Sequence, residues 1–194
     1  LREVSRARAA NLTRFWLRRR GLDRPNEEQL ARLLAWCARA EEGGEMEWPE
    51  TIVRRYRGRL YAERRGTQNA GRAPQRWRPP RPMSACGGWL VVQLVAGRGL
   101  SRARLEGAVV ELRRREGGES CRPAGRGVTK RLKRVLQEAQ VPPWERHRLP
   151  LVFVDGALAA VPGVCVVDGF EARRGETGWW PVWHGPAGPV GVCE

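Results

Sequence analysis

Apolar side chains near the start of the chain recur at the spacing of an amphipathic helix. Leu12, Phe15 and Trp16 lie at positions i, i+3 and i+4, and Gly21 follows where a helix commonly ends. This pattern predicts a first helix over residues 4–20. We interpret its two aromatic side chains as core residues, because packing is the ordinary role of an aromatic on an apolar helix face.

A second helix is predicted to begin at Asn26, which precedes Gln29 by three residues. That spacing is typical of a capping box, in which each side chain accepts a hydrogen bond from the other residue's backbone N–H. The helix is expected to end near residues 43–44. Its apolar positions are Leu30, Leu33, Leu34 and Cys37.

Two short strands are predicted at residues 51–56 and 59–63, on either side of Arg57 and Gly58. Their β-branched and aromatic side chains, separated by two residues that include glycine, are typical of a β-hairpin. Residues 1–65 are therefore expected to form a small helical domain with a basic hairpin.

Residues 66–87 show no periodicity and are rich in Gly, Pro and Arg. This composition predicts a linker that is partly extended. Trp77 lies within it between two arginines. We interpret Trp77 either as a side chain that stacks a base or as a hydrophobic anchor against a neighbouring domain.

Runs typical of strands dominate from residue 88 onward: WLVVQLV, AVVELR, LVFVD, ALAAV and VCVVDGF. Asp155-Gly156 indicates a two-residue hairpin turn between the third and fourth runs. One helix is predicted over residues 129–140, with Thr129 as its cap. Its apolar stripe is Leu132, Val135, Leu136 and Ala139.

The fold class that follows is α+β. A small helical domain with a hairpin is followed by a compact α+β domain, residues 88–170, with a short antiparallel sheet and one main basic helix. Residues 171–194 are expected to form a tail that either adds an edge strand or is loose.

The charge balance narrows the range of partners. The chain has 36 Lys and Arg against 21 Asp and Glu, a net charge of +15. Arginine forks match phosphate oxygens, and a field of this sign attracts polyanions. Nucleic acid is therefore favoured over a merely solvated basic surface. A membrane ranks third, because no run of 18 apolar residues occurs and no basic helix has a large apolar face.

The five cysteines include no CxxC pair, and their number is odd. With no visible secretory signal, this predicts a reducing, cytoplasmic environment. His147 and His184 are the only histidines, so no structural zinc site is expected. The chain begins at Leu1, which favours a fragment or an altered gene start.

The densest basic segment lies at residues 113–134, where a Gly-rich loop leads into the predicted helix. Loop amides and a helix N-terminus both attract anions, so this segment is expected to bind an RNA backbone. Trp144 is interpreted as a base-reading side chain or, preferably, a core anchor. The sequence contains no phosphate-binding loop, nucleophile elbow or HExxH motif, and His147 lacks an acidic partner. We therefore expect no catalytic residue and no metal ligand.

Several motifs occur in a fixed order: the loop RRREGGESCRPAGRG, the basic helix LKRVLQEA, VPPW with an Arg two residues later, RLPL, and a hairpin ending in AVPG. Together they resemble the C-terminal domain of bacterial tRNA(Ile)-lysidine synthetases. The earlier segments RAANLTRFWLRRRGLDRPNEEQLARLL and RRYRGRLY resemble the substrate-binding domain of the same family.

The resemblance implies part of an ATP-dependent tRNA-modifying ligase. In this family an N-terminal domain with a Ser-Gly-Gly-x-Asp-Ser loop adenylates the wobble cytidine of a CAU anticodon, and L-lysine then displaces AMP. That loop does not occur here. The resemblance therefore implies that this chain positions tRNA(Ile) and is inactive alone. ATP with Mg and L-lysine belong to the missing domain, and dimerisation of the full enzyme stays open.

The resemblance also assigns the grip on the acceptor stem to residues 113–134 and the anticodon side to the first domain. His147 departs from the family, which usually has Asp there. The predicted tRNA-binding residues are Arg113, Arg115, Arg122, Arg126, Lys130, Lys133, Arg134, Arg146 and Arg148. A secondary set in the first domain is Arg18, Arg19, Arg54 and Arg55.

Two other hypotheses stay open. The chain is a stand-alone RNA-binding adaptor without enzymatic activity, or it is a degenerate remnant. A genuine start codon at or just before Leu1 favours the adaptor, and poor folding in isolation favours the remnant.

Overall fold

The chain folds into two compact units that divide between Thr67 and Gln68. The computed structural model describes residues 4–39, 43–66, 73–186 and 188–189. Each unit combines helices with antiparallel strands, which confirms the α+β class. Within these ranges no helix is long and apolar enough to cross a lipid bilayer.

The first unit pairs two helices with a three-stranded antiparallel sheet in the order β1-β2-β3. Both predicted helices and the predicted hairpin are confirmed, whereas the first strand was not predicted from the sequence. The elements are α1 (Arg6–Arg19), α2 (Glu27–Ala38), β1 (Glu45–Trp48), β2 (Thr51–Tyr56) and β3 (Arg59–Arg64).

The start of α2 is fixed by the predicted capping box. Asn26 Oδ1 accepts a hydrogen bond from the Gln29 backbone N–H at 2.8 Å, and Gln29 Oε1 accepts one from the Asn26 N–H at 2.9 Å. These contacts satisfy amides that lack partners at a helix start. The helix ends at Ala38, earlier than predicted, because Arg39 takes an extended conformation with ψ 150°.

The buried face of α1 differs from the predicted one. Ala9, Thr13 and Leu17 are buried at intervals of four residues, while Phe15 is 51% exposed. The interpretation of Phe15 as a core residue is therefore wrong. Trp16 packs at the edge of the core around Leu17, Leu33, Trp48, Val53 and Ala62.

The second unit contains one hydrophobic core and two larger sheets. Its helices are α3 (Arg102–Leu105) and α4 (Leu132–Glu138). Its strands are β4 (Gln75–Arg76), β5 (Met83–Ala85), β6 (Gly88–Ala96), β7 (Val110–Arg114), β8 (Ser120–Cys121), β9 (Lys130–Arg131), β10 (Pro150–Val154), β11 (Ala157–Val161), β12 (Cys165–Val166), β13 (Thr177–Gly185) and β14 (Gly188–Pro189).

The five-stranded sheet has the order β12-β11-β10-β7-β4, and the four-stranded sheet has the order β14-β13-β6-β5. A separate pair joins β8 to β9. The predicted turn between β10 and β11 is confirmed, since Asp155 and Gly156 both have positive φ. This backbone matches the twist of a two-residue hairpin.

The interpretation of residues 66–87 as a linker is wrong for its second half. β4 and β5 each add a strand to one of the two sheets. Trp77 between them is buried, and its Nε1 donates to the Arg81 carbonyl at 2.7 Å. Of the two interpretations of Trp77, the structure therefore supports the hydrophobic anchor.

The predicted tail contributes an interior strand rather than an edge strand. β13 pairs with β6 from Thr177 opposite Ala96 to His184 opposite Trp89, and β14 lies on its other side. Trp183 is fully buried and its Nε1 donates to the Ala85 carbonyl at 2.9 Å. Burial of an indole with its N–H satisfied strongly favours this placement.

The basic helix is shorter than predicted. It begins at Leu132 rather than at a Thr129 cap, because Lys130 and Arg131 pair with β8 as strand β9. The predicted apolar stripe is confirmed at Leu132, Val135 and Leu136, which are buried, whereas Ala139 is exposed at the helix end.

Candidate nucleic-acid interface

Three predicted cations of the basic segment converge on one carboxylate, Glu138 at the end of α4. Lys130 Nζ lies 2.7 Å from its Oε2, Arg134 Nε lies 3.2 Å from its Oε1, and Arg126 lies 3.5 Å away. These four residues are called the Glu138 cluster below. With three cations around one anion, the cluster carries excess positive charge.

Two of the three cations of the Glu138 cluster are largely exposed. The side chains of Arg134 and Arg126 are 73% and 64% exposed. Lys133 is also exposed on α4, and within the described part of the chain it forms no ion pair. The hydrogen bond from Lys130, with further help from Arg134, lowers the pKa of Glu138. Glu138 therefore stays ionised at neutral pH.

Glu138 was not among the residues singled out from the sequence. Its spacing of four residues from Arg134 is a recognisable signal for an ion pair on a helix. The approach of Arg126 and Lys130 is not visible in the sequence, because it depends on the pairing of β8 with β9.

The loop between β7 and β8 is organised by its own acid, Glu119. Glu119 Oε1 accepts hydrogen bonds from the backbone N–H groups of Glu116 at 2.6 Å and Gly117 at 2.8 Å. Arg115 Nε adds a contact at 3.2 Å. The expectation that these amides face a phosphate is wrong, since Glu119 already occupies them.

The N-terminus of α4 does not provide an anion site either. The backbone N–H of Leu132 donates to the Glu119 carbonyl at 2.8 Å. The helix is only seven residues long, so its dipole is small. The backbone amides of Glu116, Gly117 and Leu132 are thus paired within the segment, and its exposed positive charge comes from side chains.

Several other residues of the second unit that were predicted to bind tRNA make contacts within that unit. Arg113 pairs with Glu111 at 2.7 Å and lies over the Phe153 ring, and Arg115 is largely buried. Arg122 is half exposed and pairs with Asp168. Arg146 Nε donates to the Val141 carbonyl at 2.8 Å. Half-buried side chains are Trp144, Arg146 and Arg148.

The secondary set in the first unit divides in two. Arg18 and Arg19 are exposed in the last turn of α1, with Arg19 5.9 Å from the centre of the Phe15 ring. Arg54 is mostly buried between Glu45 and Glu63.

Arg55 is only 5% exposed. Its Nη1 donates to the Trp36 carbonyl at 3.2 Å and the Arg39 carbonyl at 2.8 Å. Those carbonyls lie at the end of α2, where backbone acceptors lack helical partners. Arg55 is therefore a structural cap inside the first unit, and its assignment to an RNA-binding surface is wrong.

A metal site has no support in this region. Among the residues that the structure describes, no three His, Cys, Asp or Glu side chains lie close enough together to hold a metal ion. The exposed charged groups of this region are mainly arginine and lysine side chains.

Comparison with known proteins gives two family matches in chain order. A family model described as the TilS substrate binding domain matches residues 1–61, and one described as the TilS substrate C-terminal domain matches residues 110–183. The two matched regions fall in separate compact units of the structure.

Full-length relatives agree with both matches. The tRNA(Ile)-lysidine synthase of Coxiella burnetii is 31% identical over 92% of this chain and 40% of its own length. That of Nitrosomonas europaea is 30% identical over 95% of this chain and 41% of its own length. A solved structure, "Crystal structure of TILS C-terminal domain", covers 63% of this chain with 23% identity and a TM-score of 0.43. The chain thus spans about two fifths of the relatives' length.

Proposed function

Since this chain belongs to the tRNA(Ile)-lysidine synthase family and carries its substrate-binding and C-terminal domains, we propose that it binds tRNA(Ile) and positions it for modification of the CAU anticodon. The modification itself is assigned to the remainder of the full-length enzyme. That remainder is proposed to bind ATP with Mg and L-lysine in the cytoplasm. The present chain alone is proposed to be inactive.

The Glu138 cluster is the observation that carries the proposal. Lys and Arg side chains that stay exposed and charged release counterions when they meet phosphates, which drives RNA binding. Glu138 holds three basic side chains within 3.5 Å of its carboxylate, and two of them, Arg126 and Arg134, are largely exposed. Because ion pairs at a protein surface are weak, a phosphate group can compete with the Glu138 carboxylate for these cations.

The test measures equilibrium binding of this chain to tRNA(Ile) with a CAU anticodon and to elongator tRNA(Met), across a salt series. The variant combines Lys130→Ala, Lys133→Ala and Arg134→Ala. Its matched control removes equal charge from three other exposed arginines of the second unit, by Arg76→Ala, Arg78→Ala and Arg104→Ala.

We expect salt-sensitive binding that favours tRNA(Ile). The variant with Lys130, Lys133 and Arg134 replaced should bind roughly ten-fold more weakly than the control, and its salt slope should be smaller by up to about three. Equal losses in both variants would show that only net charge matters. Equal binding of both tRNAs would assign discrimination to the missing domain, and no binding at low salt would overturn the proposal.

A further inference from the structure

A cleft of about 590 Å³ opens beside the Glu138 cluster in the second unit. Its lining includes Arg126 and Glu138 of the cluster, together with Arg98, Glu171 and Trp180. Its volume falls within the range of about 300–1,000 Å³ that is usual for small-ligand sites. None of the last three residues was singled out from the sequence.

The wall that carries Trp180 is rigidly built. Trp180 lies in β13, and the adjoining loop pairs with that strand through Leu100 and Trp179, whose backbone groups exchange hydrogen bonds of 2.7 and 2.9 Å. Gly99 has φ +91°, and a Cβ there would lie 2.9 Å from the Trp179 backbone. The close approach thus requires glycine, and it places Arg98 next to Trp180.

Arg98 and Trp180 form a stacking platform. The guanidinium carbon of Arg98 lies 6.0 Å from the centre of the Trp180 ring, and the Arg98 side chain is exposed. Proteins stack unpaired RNA bases on aromatic rings and on guanidinium planes. Trp180 Nε1 is enclosed and lacks a hydrogen-bond partner among the described residues, and the half-buried ring packs against the hydrophobic core, so only part of the ring is open to a base.

The rest of the cleft suits a nucleotide better than a free anion. Apolar side chains line part of it, including Val135, Val164 and Val166. Glu171 adds a carboxylate, which repels phosphate but accepts hydrogen bonds from base N–H groups. A positive group for a phosphate is Arg126 of the Glu138 cluster, which also lines the cleft.

We propose that this cleft holds one unpaired nucleotide of the bound RNA, with its base against Trp180 and Arg98 and its phosphate at Arg126 and the Glu138 cluster. This inference rests on the proposed function, since it supposes that RNA binds this unit. It adds base contacts to a surface whose other groups contact only the backbone.

The test compares three probes on the whole chain: hexacytidylate, the same hexamer with abasic residues, and a blunt RNA duplex. The abasic hexamer has the same phosphates without the bases, so the ratio of the two affinities isolates base binding. The variant is Arg98→Ala, which alters an exposed loop side chain. The control is Arg76→Ala, on strand β4 at the sheet edge opposite β12.

We expect the wild-type chain and the Arg76→Ala control to bind hexacytidylate at least about five-fold more tightly than they bind the abasic hexamer. Arg98→Ala should bring that ratio close to one while weakening duplex binding no more than the control does. Trp180→Leu should have the same effect in protein that unfolds at the wild-type temperature.

Three outcomes would overturn the inference. If the wild-type chain binds hexacytidylate and the abasic hexamer equally well, and still binds the duplex and tRNA, the nucleotide site is ruled out but the proposed function is not. An Arg98→Ala variant that keeps the wild-type ratio assigns base binding to another surface. Failure of the wild-type chain to bind any RNA at low salt overturns both the nucleotide site and the proposed function.

Discussion

Glu119 is the residue on which the order of the β7–β8 loop depends. Burial alone would raise its pKa, but hydrogen bonds from the backbone of Gly117 and Glu116, and from Arg115, outweigh this and lower the pKa below its ordinary value of 4.5. A carboxyl group with a lowered folded-state pKa stabilises the fold above its unfolded-state pKa. That stabilisation is lost as the pH falls through the folded-state value.

We therefore expect Glu119→Gln to lower the free energy of unfolding at pH 7 by roughly 1 to 2 kcal/mol, because charge-assisted hydrogen bonds are lost. The difference from wild type should shrink below pH 4.5. Urea denaturation between pH 3 and 7 measures both effects. The control is Glu116→Gln, which changes an exposed acid of the same loop. If the difference in unfolding free energy between Glu119→Gln and wild type did not depend on pH, the stabilising role of ionised Glu119 would be contradicted.

Arg55 leads to a second prediction, which separates stability from binding. Arg55→Ala removes the donor from two carbonyls at the end of α2. We expect the first unit to lose roughly 2 to 4 kcal/mol, since hydrogen bonds to charged groups contribute about 1.5–3 kcal/mol each and are not additive. Hydrogen exchange of the β2 amides measures the loss. Arg59→Ala, exposed on the same hairpin, should leave exchange unchanged.

A contrary result for Arg55→Ala would be an RNA affinity that falls in protein with normal exchange protection. From the sequence alone, Arg54 and Arg55 cannot be distinguished from surface cations. Neighbouring residues of a strand point to opposite faces of the sheet, but which face is buried is known only once the sheet is placed. Phe15 was misassigned for a related reason. Its helix has two apolar faces, and only packing against the sheet decides that Leu17 is the buried one.

At the scale of elements, hairpins with clear turn residues could be predicted and long-range pairing could not. Asn26, Asp155 and Gly156 act through local contacts, and local rules describe them well. The β6–β13 pairing joins residues about 90 positions apart, and the sequence has no local signal for it. The same holds for the cleft, whose Trp180 comes from the predicted tail.

The β2–β3 turn carries a prediction about local strain. Arg57 has φ 49° and Gly58 has φ 71°, a pair of positive values in which asparagine is much better tolerated than arginine. We expect Arg57→Asn to stabilise the first unit by up to about 1 kcal/mol in chemical denaturation.

Asp155→Asn at the β10–β11 turn is the matched control. Asp155 already tolerates its φ of 46°, and its Oδ1 accepts a hydrogen bond from the Val109 N–H at 2.8 Å. No stabilisation is expected there. A destabilised Arg57→Asn variant would show that the contact of Arg57 with the Tyr56 ring outweighs backbone strain.

For the molecule as a whole, the net charge of +15 predicts a polyanionic partner but not where it binds. Some of the basic residues singled out from the sequence are exposed in the structure, and others are buried and make contacts within their own unit. Lys130, Arg126 and Arg134 gather around Glu138, whereas Arg115 and Arg55 are largely buried. Net charge attracts a polyanion from any direction, and under the proposed function the folded arrangement restricts which phosphates of the RNA are contacted.

This arrangement predicts that the chain inhibits a full-length relative by withholding its substrate. A tRNA held by binding domains without a catalytic domain forms an unproductive complex. With the chain at about ten times its Kd, free tRNA falls about ten-fold by mass action. At low tRNA concentration, lysidine formation by the Coxiella burnetii enzyme should slow by a similar factor, and added tRNA(Ile) should restore the rate.

The variant with Lys130→Ala, Lys133→Ala and Arg134→Ala serves as the control in this assay, and it should inhibit in proportion to its weaker tRNA binding. Suppose that a direct binding measurement shows the tRNA to be occupied by the chain while the rate of lysidine formation is unchanged. The chain would then contact a part of the tRNA that the enzyme does not use. Inhibition that added tRNA does not relieve would instead indicate contact with the enzyme. Only competition for tRNA agrees with a positioning role for these two units.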